Sequence, residues 1–443
     1  TLSSSSAASD VYKRQVVACR LRAAPPGVPV VARADASARR VLIGSVDFAP
    51  AGSTAASVDG CFGPYVAVYG GRAPQGEVFG ALEPLCEHAA AGGAALALFV
   101  GATSSGKSHS FWGRAAQPAG GATGAAAEPG LAVRALCELL RLTQRALGSV
   151  SCSAPRPFDE APRSARAGAC GGGGSGGSGG GGSGGSGGGG SGGSVLVSLL
   201  QVYNGAVYDL LGTSSSHTPR ARDAPAAADA SAGAVCVVAQ PPLEVRCRTA
   251  ADVRACLAIG GCFRRTADSG LNTRSSRAHT LVVARPVTAA GERARGVLRL
   301  VDLAGAEAAE ARASVRVGAA ADSADESARA RSVEATHIEA SLGALDAAFR
   351  AMAERRAPEL GADALTRLLA PALDLGRGAR VLVLAHVHEG GRWLAHSRST
   401  LEFAQRAHAC NVSGAPDGGA GVRLACAADL VNARGREGSG HAA

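Results

Sequence analysis

Residues Ala94 to Gly113 read AALALFVGATSSGKSHSFWG. The apolar run from Ala94 to Val100 has the length and character of a buried strand. It leads directly into Gly101-Ala102-Thr103-Ser104-Ser105-Gly106-Lys107-Ser108, which fits G-x-x-x-x-G-K-[ST]. Glycines at both ends let the backbone curl until successive N–H groups face a phosphate; Lys107 then reaches the terminal phosphates, and the Ser108 hydroxyl is a ligand for Mg²⁺. Lys107 is one of only two lysines in the chain, the other being Lys13. Arginine serves wherever a generic cation would do, and a planar guanidinium does not replace a compact ammonium in a tight phosphate cradle. The bland alternative is a chance Gly/Ser loop in a glycine-rich chain. The preceding strand and the rarity of lysine weigh against it.

The surrounding 443 residues have room for two or three average domains, or for one α/β domain with insertions. Hydrophobic residues make up 46% but aromatics only 4%, so packing must rest on Leu/Val strands and a few phenylalanines. The net charge of +9 favours an acidic partner: nucleic acid, an anionic membrane surface or an acidic protein face. Solvated arginines with no partner explain it about equally well. Twelve cysteines are scattered without a C-x-x-C pair or zinc-like histidine spacing, which points to reduced thiols in a cytosolic protein. Thr1–Gln15 is a polar leader without the apolar centre of a secretory signal, and no run is long enough for membrane insertion.

Upstream of the loop, Val16–Leu21 reads as a strand, and a helix opens at Gln75 with Val78, Leu82 and Leu85 on one face. Downstream, a helix runs from Gly130 to about Leu147. Every residue from Gly171 to Ser194 is Gly or Ser, which cannot bury enough surface to offset its ordering entropy. This tether, about 148–194, separates two domains or is an insertion within one. The insertion is favoured, because the apolar strand Val195–Tyr203 needs a sheet begun earlier. A polar loop spans about 213–234, a helix is expected over Ala251–Ile259, and the tail 413–443 is irregular, with no heptads.

Two further stretches carry chemistry. Asn272-Thr273-Arg274-Ser275-Ser276-Arg277-Ala278-His279 is a polar loop entering a strand, and Leu298–Val301 is a strand ending in Asp302, followed by the D-x-x-G turn to Gly305 and then Glu307. An aspartate at a strand end beside a phosphate loop can hold the water shell of Mg²⁺, and the following glycine N–H can sense a γ-phosphate. A serine-rich loop supplies hydroxyls to metal and attacking water. Later segments read as a helix with Ile338, Leu342, Leu345, Phe349 and Met352 on one face, a short helix with Leu365, Leu368, Leu369 and Leu373, a buried strand Arg380–Val387, and a last helix Ser399–Ala409.

From Val16 to Asn411 these pieces resemble the kinesin motor domain, in that family's order: GATSSGKS at 101–108, QVYNGAVYDLL at 201–211, NTRSSRAH at 272–279, DLAGAE at 302–307, HIEASLGAL at 337–345, LTRLL at 365–369 and STLEFAQRAH at 399–408. The resemblance implies an α/β fold, a P-loop NTPase of kinesin-motor type with a central mostly parallel or mixed sheet flanked by helices on both faces. It implies a microtubule-stimulated ATPase in the cytoplasm and on the cytoskeleton, using ATP and Mg²⁺. Carried over by residue, Gly101 to Ser108 with Asn272 and Ser275 would bind nucleotide, and Arg20, in an R-x-R strand, would lie beside the adenine. Ser108, Ser276 and Asp302 would serve the metal, Gly305 would donate to the γ-phosphate, and Arg277 and Glu307 would pair to order the hydrolytic water. Solvated loop charges are the alternative for that pair.

Departures cluster. Ala23 replaces the adenine-stacking proline, Ala278 and Ala306 replace switch serines, and Ala308 replaces an arginine. Glu339 and Ala340 stand for asparagine and lysine, and Ala364 for another lysine, in the region that faces the microtubule in the family. Arg312, Arg316, Arg329, Arg331, Arg355 and Arg356 offer replacement charge or simply a solvated face. Two other readings therefore stand beside the motor: a kinesin-fold nucleotide-binding scaffold without motility, and a nucleic-acid-stimulated P-loop ATPase. The last lacks aromatic stacking residues beside its arginines, and no specific nucleic-acid partner is expected. Direction, cargo and oligomeric state have no signature in these residues.

Overall fold

In the computed structural model, the residues described are 16–44, 58–114, 128–146, 193–213, 219–221, 241–266, 277–288, 292–305, 326–361, 363–373 and 379–410. The leader, nearly all of the Gly/Ser tether, most of the polar loop and the tail lie outside them. In chain order the strands are β1 (Val16–Arg22), β2 (Ala32–Asp35), β3 (Arg40–Gly44), β4 (Val58–Phe62), β5 (Ala67–Tyr69), β6 (Ala94–Gly101), β7 (Gly113–Arg114), β8 (Glu128–Pro129), β9 (Ser194–Tyr203) and β10 (Ala206–Thr213). They continue with β11 (Pro219–Ala221), β12 (Val245–Cys247), β13 (His279–Val287), β14 (Val297–Asp302) and β15 (Arg380–His388). The helices are α1 (Gln75–Phe79), α2 (Glu83–Ala90), α3 (Lys107–Trp112), α4 (Leu131–Ala146), α5 (Ala250–Thr266), α6 (Glu326–Ala353), α7 (Ala364–Leu373) and α8 (Leu394–Ala409).

The main sheet runs β11-β10-β9-β13-β14-β6-β15-β1-β5, with β12 also paired to β9. From β14 to β5 the strands are parallel; from β14 back to β11 they are antiparallel. The sheet is therefore mixed, as expected from the sequence. Strand β6 sits between two parallel neighbours, Asp302 standing opposite Phe99 and His386 opposite Gly101. All three carboxyl ends thus open on one crevice, where ligands bind in open α/β sheets.

Alternation along β6 divides the interior. Ala95, Ala97 and Phe99 pack under α1–α5, whereas Leu96, Leu98 and Val100 pack under α6–α8. Both faces are covered, which is why the central strands are apolar at nearly every position. On the second face Leu345, Phe349 and Met352 of α6 meet Leu365, Leu369 and Leu373 of α7 and Leu401 and Ala404 of α8. The flanks of the Gly/Ser tether, α4 and β9, contribute to a single core.

Most boundaries follow the sequence pattern, with informative exceptions. The helix expected from Gln75 is two helices, because Gly80 and Pro84 intervene; proline has no N–H for the fourth-residue bond and opens α2 instead. The stretch before Phe62, in which no elements were expected, contains the antiparallel sheet β2-β3-β4. Helix α5 runs seven residues past Ile259, to Thr266, and α8 starts at Leu394 rather than Ser399. Asn204 and Gly205, at φ +49° and +74°, form the tight β9–β10 turn, a hairpin favoured by Asn-Gly.

Candidate nucleotide-binding site

The loop after β6 has the backbone its glycines allow. Gly101 (φ +148°) and Gly106 (φ +100°) hold conformations that side chains resist. A Cβ at Gly101 would stand 2.4 Å from the His386 carbonyl oxygen and 2.7 Å from Ser105 Oγ, so the loop is pressed against β15. Gly106 caps α3, whose first residue is Lys107. Ser104, at φ +65°, is the strained non-glycine position, and the Arg22 guanidinium donates to its carbonyl.

Lys107 is buried, and its Nζ donates to the Gly101 carbonyl and, at 2.7 Å, to the Ala102 carbonyl. Ser108 Oγ donates to Asp302 Oδ2 at 3.0 Å, joining the loop to the end of β14 across 194 residues of sequence. Asp302 is 1% exposed and its neighbour Leu303 bonds back to Phe99 on β6. Ser105 Oγ is buried with no hydrogen-bond partner among the described residues. A serine hydroxyl beside a carboxylate is a hard oxygen pair suited to Mg²⁺, and an orphaned hydroxyl in a glycine-shaped loop suits a phosphate oxygen. The residues present therefore fit a metal–triphosphate ligand.

Around that centre lie residues whose roles sequence reasoning did not find. Ala304 N donates to His279 Nδ1 at 3.1 Å, and His279 Nε2 lies 2.9 Å from Ser341 Oγ, which itself donates to the His337 carbonyl. The accepting Nδ1 requires the proton on Nε2, so one neutral imidazole ties the turn after β14 to α6. Burial and the Lys107 charge push the His279 pKa down to about 3. The only hint in the sequence was its position directly after the serine-rich loop.

Arg277 Nη1 donates to Glu334 Oε2 at 2.7 Å, and the Tyr203 hydroxyl bonds the other carboxylate oxygen. Glu334 is 4% exposed, on the face of α6 that continues to Ile338 and Ser341. A carboxylate on an apolar helix stripe was the available signal for it. Glu307, the expected partner of Arg277, lies outside the described residues, as do Asn272, Ser275 and Ser276. Gly305, at the last described position after β14, is buried.

Arg20 is drawn inward. Its guanidinium donates to Gln75 Oε1 (2.9 Å), Ser110 Oγ (2.8 Å) and the Ala73 carbonyl (2.8 Å), while Ser110 Oγ also meets His386 Nε2 at 2.8 Å. It thereby braces α3 from behind, and Arg22, two residues on, is the arginine of β1 that touches the loop.

The crevice, the loop after its central strand and the Ser108–Asp302 contact define a P-loop protein of the α/β class. Residues 59–410 match the kinesin motor domain, and the chain belongs to the kinesin family. It is similar to mouse kinesin-like protein KIFC2, 32% identical over 223 residues that make up 48% of this chain and 26% of the relative. Kinesin-like protein KIN-14A of Oryza sativa subsp. japonica is 29% identical over 48% of the chain and 20% of its own length; KIN-5B of Arabidopsis thaliana is 33% identical over 51% and 21%. The chain thus matches about a quarter or less of these relatives. The family match begins after β1, yet β1 pairs with β15 and β5 in the same sheet.

Proposed function

We propose that this chain is a microtubule-stimulated ATPase motor domain that acts on the cytoskeleton in the cytoplasm. The Ser108–Asp302 contact carries the reading, because it brings the lysine loop and the strand-end carboxylate to one point. Phosphoryl transfer asks the protein for positioning and charge compensation rather than covalent chemistry. Lys107 would turn from its own loop carbonyls to the terminal phosphates, while backbone N–H groups from Gly101 to Gly106 hold the remaining oxygens. Bound Mg²⁺ supplies neutralisation of phosphate charge, and Ser108, Ser276 and Asp302 are the residues that would hold it. Gly305 N–H would report the γ-phosphate, and Ala304 next to it is already tied through His279 to α6. That hydrogen-bonded path gives α6 a means to respond to the nucleotide. Arg277 and Glu307 would order the attacking water.

The test is ATP turnover with and without microtubules across a salt series, since a contact made by arginines weakens as ionic strength rises. Stimulated turnover is expected, with Glu307→Ala binding ATP but not turning it over. Turnover indifferent to microtubules would end the motor assignment. A second reading, a nucleotide-holding scaffold, is favoured by one observation: Glu334 already engages Arg277, which must be released to meet Glu307. ATP retained without phosphate release would support it, and filament gliding would eliminate it.

A further inference from the structure

On the sheet face under α6–α8, well away from the phosphate loop, β14 carries a charged residue among apolar ones. The register aligns Ser198, Val283, Arg299 and Leu96 in one row across β9, β13, β14 and β6. That row lies five residues, about 17 Å, from Gly101 along β6. Arg299 is 6% exposed and lines a cavity of about 170 Å³ walled by Leu200, Leu281, Val283 and Leu368. Its charged neighbours there are Arg285 and Glu244, and Glu244 already pairs with Arg285 (3.4 Å) and Arg293 (2.6 Å). Arg299 has no counter-ion among the described residues. Burial and the Arg285 charge push its pKa down to about 10, so the guanidinium remains charged at neutral pH.

A buried cation without a partner is unfavourable unless something neutralises it. A guanidinium matches a carboxylate through two parallel hydrogen bonds, and the aliphatic walls match hydrocarbon. A cavity of roughly 150 Å³ admits a benzene ring, so the space here suits a ligand of that size. We propose that this cavity binds a small amphipathic carboxylate, with its carboxylate on Arg299 and its apolar part against Leu281, Val283 and Leu368. The site is separate from the nucleotide crevice and does not depend on ATP hydrolysis.

Benzoate titrated into the purified full chain, followed by calorimetry and by protein-observed NMR, tests this. Saturable binding with half-saturation at or below about 1 mM is expected. Neutral benzamide should bind at least about tenfold more weakly, as should benzoate to Arg299→Met, since a charge-assisted contact is lost. Leu368→Trp, which fills the cavity from a partly buried helix position, should abolish binding and gives a second route if Arg299→Met does not fold. Thermal melting establishes that each variant is folded. No saturation by benzoate, equal binding of benzamide, or unchanged affinity in a folded variant would overturn the proposal.

Discussion

The crevice at the ends of β6 and β14 and the outer side of α6 and α7 hold the family's residues very unevenly. Around the crevice Lys107, Ser108, Asp302 and Gly305 keep the residue types of the motif, and Lys107 and Asp302 are almost wholly buried. On the helices, Glu339 and Ala340 depart from the pattern, one half-buried and the other exposed. Ala364 departs too, but its methyl group is buried in the core of α6, α7 and α8. Groups tied to distant parts of the chain cannot change without leaving partners unsatisfied, whereas an exposed helix position changes at little cost to folding. On the proposed function, the nucleotide-binding residues are built into the packing of this molecule, whereas Glu339 and Ala340, at positions that would face the track, are side chains that packing leaves freer to vary.

The sharpest break in that contrast is at Lys107. Lys107→Ala should reduce ATP turnover by about 10²- to 10³-fold, as loss of a preorganised donor to developing charge does; steady-state phosphate release measures it. A fall of less than about fivefold would place the chemistry elsewhere.

Next comes pH. His279 and His386 are fully buried and neutral, each held down to about 3 by desolvation, with Lys107 acting on both and Arg20 also on His386. In the unfolded chain they return to their ordinary value of 6.5, so the unfolded state binds protons first. Their contribution is fully present above pH 6.5 and is lost as pH falls toward 3. Between pH 7.5 and 5.5 the two should cost about 3 kcal/mol of stability, at about 1.4 kcal/mol per pH unit for each below 6.5. Urea melts at both values measure this, and His279→Gln should shrink the difference by about 1.4 kcal/mol, the share of one such histidine.

Glu334→Gln should destabilise the fold by about 2 kcal/mol in the same melts, because it weakens the charge-assisted bond to Arg277. If Glu334 competes with Glu307 for Arg277, the variant should also raise basal turnover. The smallest effect concerns the varied face. Ala340→Lys should strengthen microtubule binding by at most about fivefold at low salt, the scale of one exposed ion pair. Cosedimentation across salt concentrations reads it, and a larger gain would mean that this helix carries most of the track contact.

Much of the fold was legible because apolar runs such as Ala94–Val100 and Arg380–Val387 can only be buried strands in a sheet covered on both sides. The site centre was legible because a phosphate loop and a strand-end aspartate announce themselves locally. The small β2-β3-β4 sheet was not, since its short strands have no long apolar run. Nor were the partnerships of His279 with Ala304 and Ser341, or of Glu334 with Arg277 and Tyr203. They join residues separated by tens to more than a hundred positions, and only the register of β13 and the facing of α6 bring them together.

Equilibrium binding of a fluorescent ATP analogue, with and without Mg²⁺, to the native chain and to Asp302→Ala is the most direct test of the crevice. Saturable binding strengthened by Mg²⁺ in the native chain, with that dependence lost in the variant, is expected. Absence of binding, or a magnesium dependence unaltered by removing Asp302, would contradict the site.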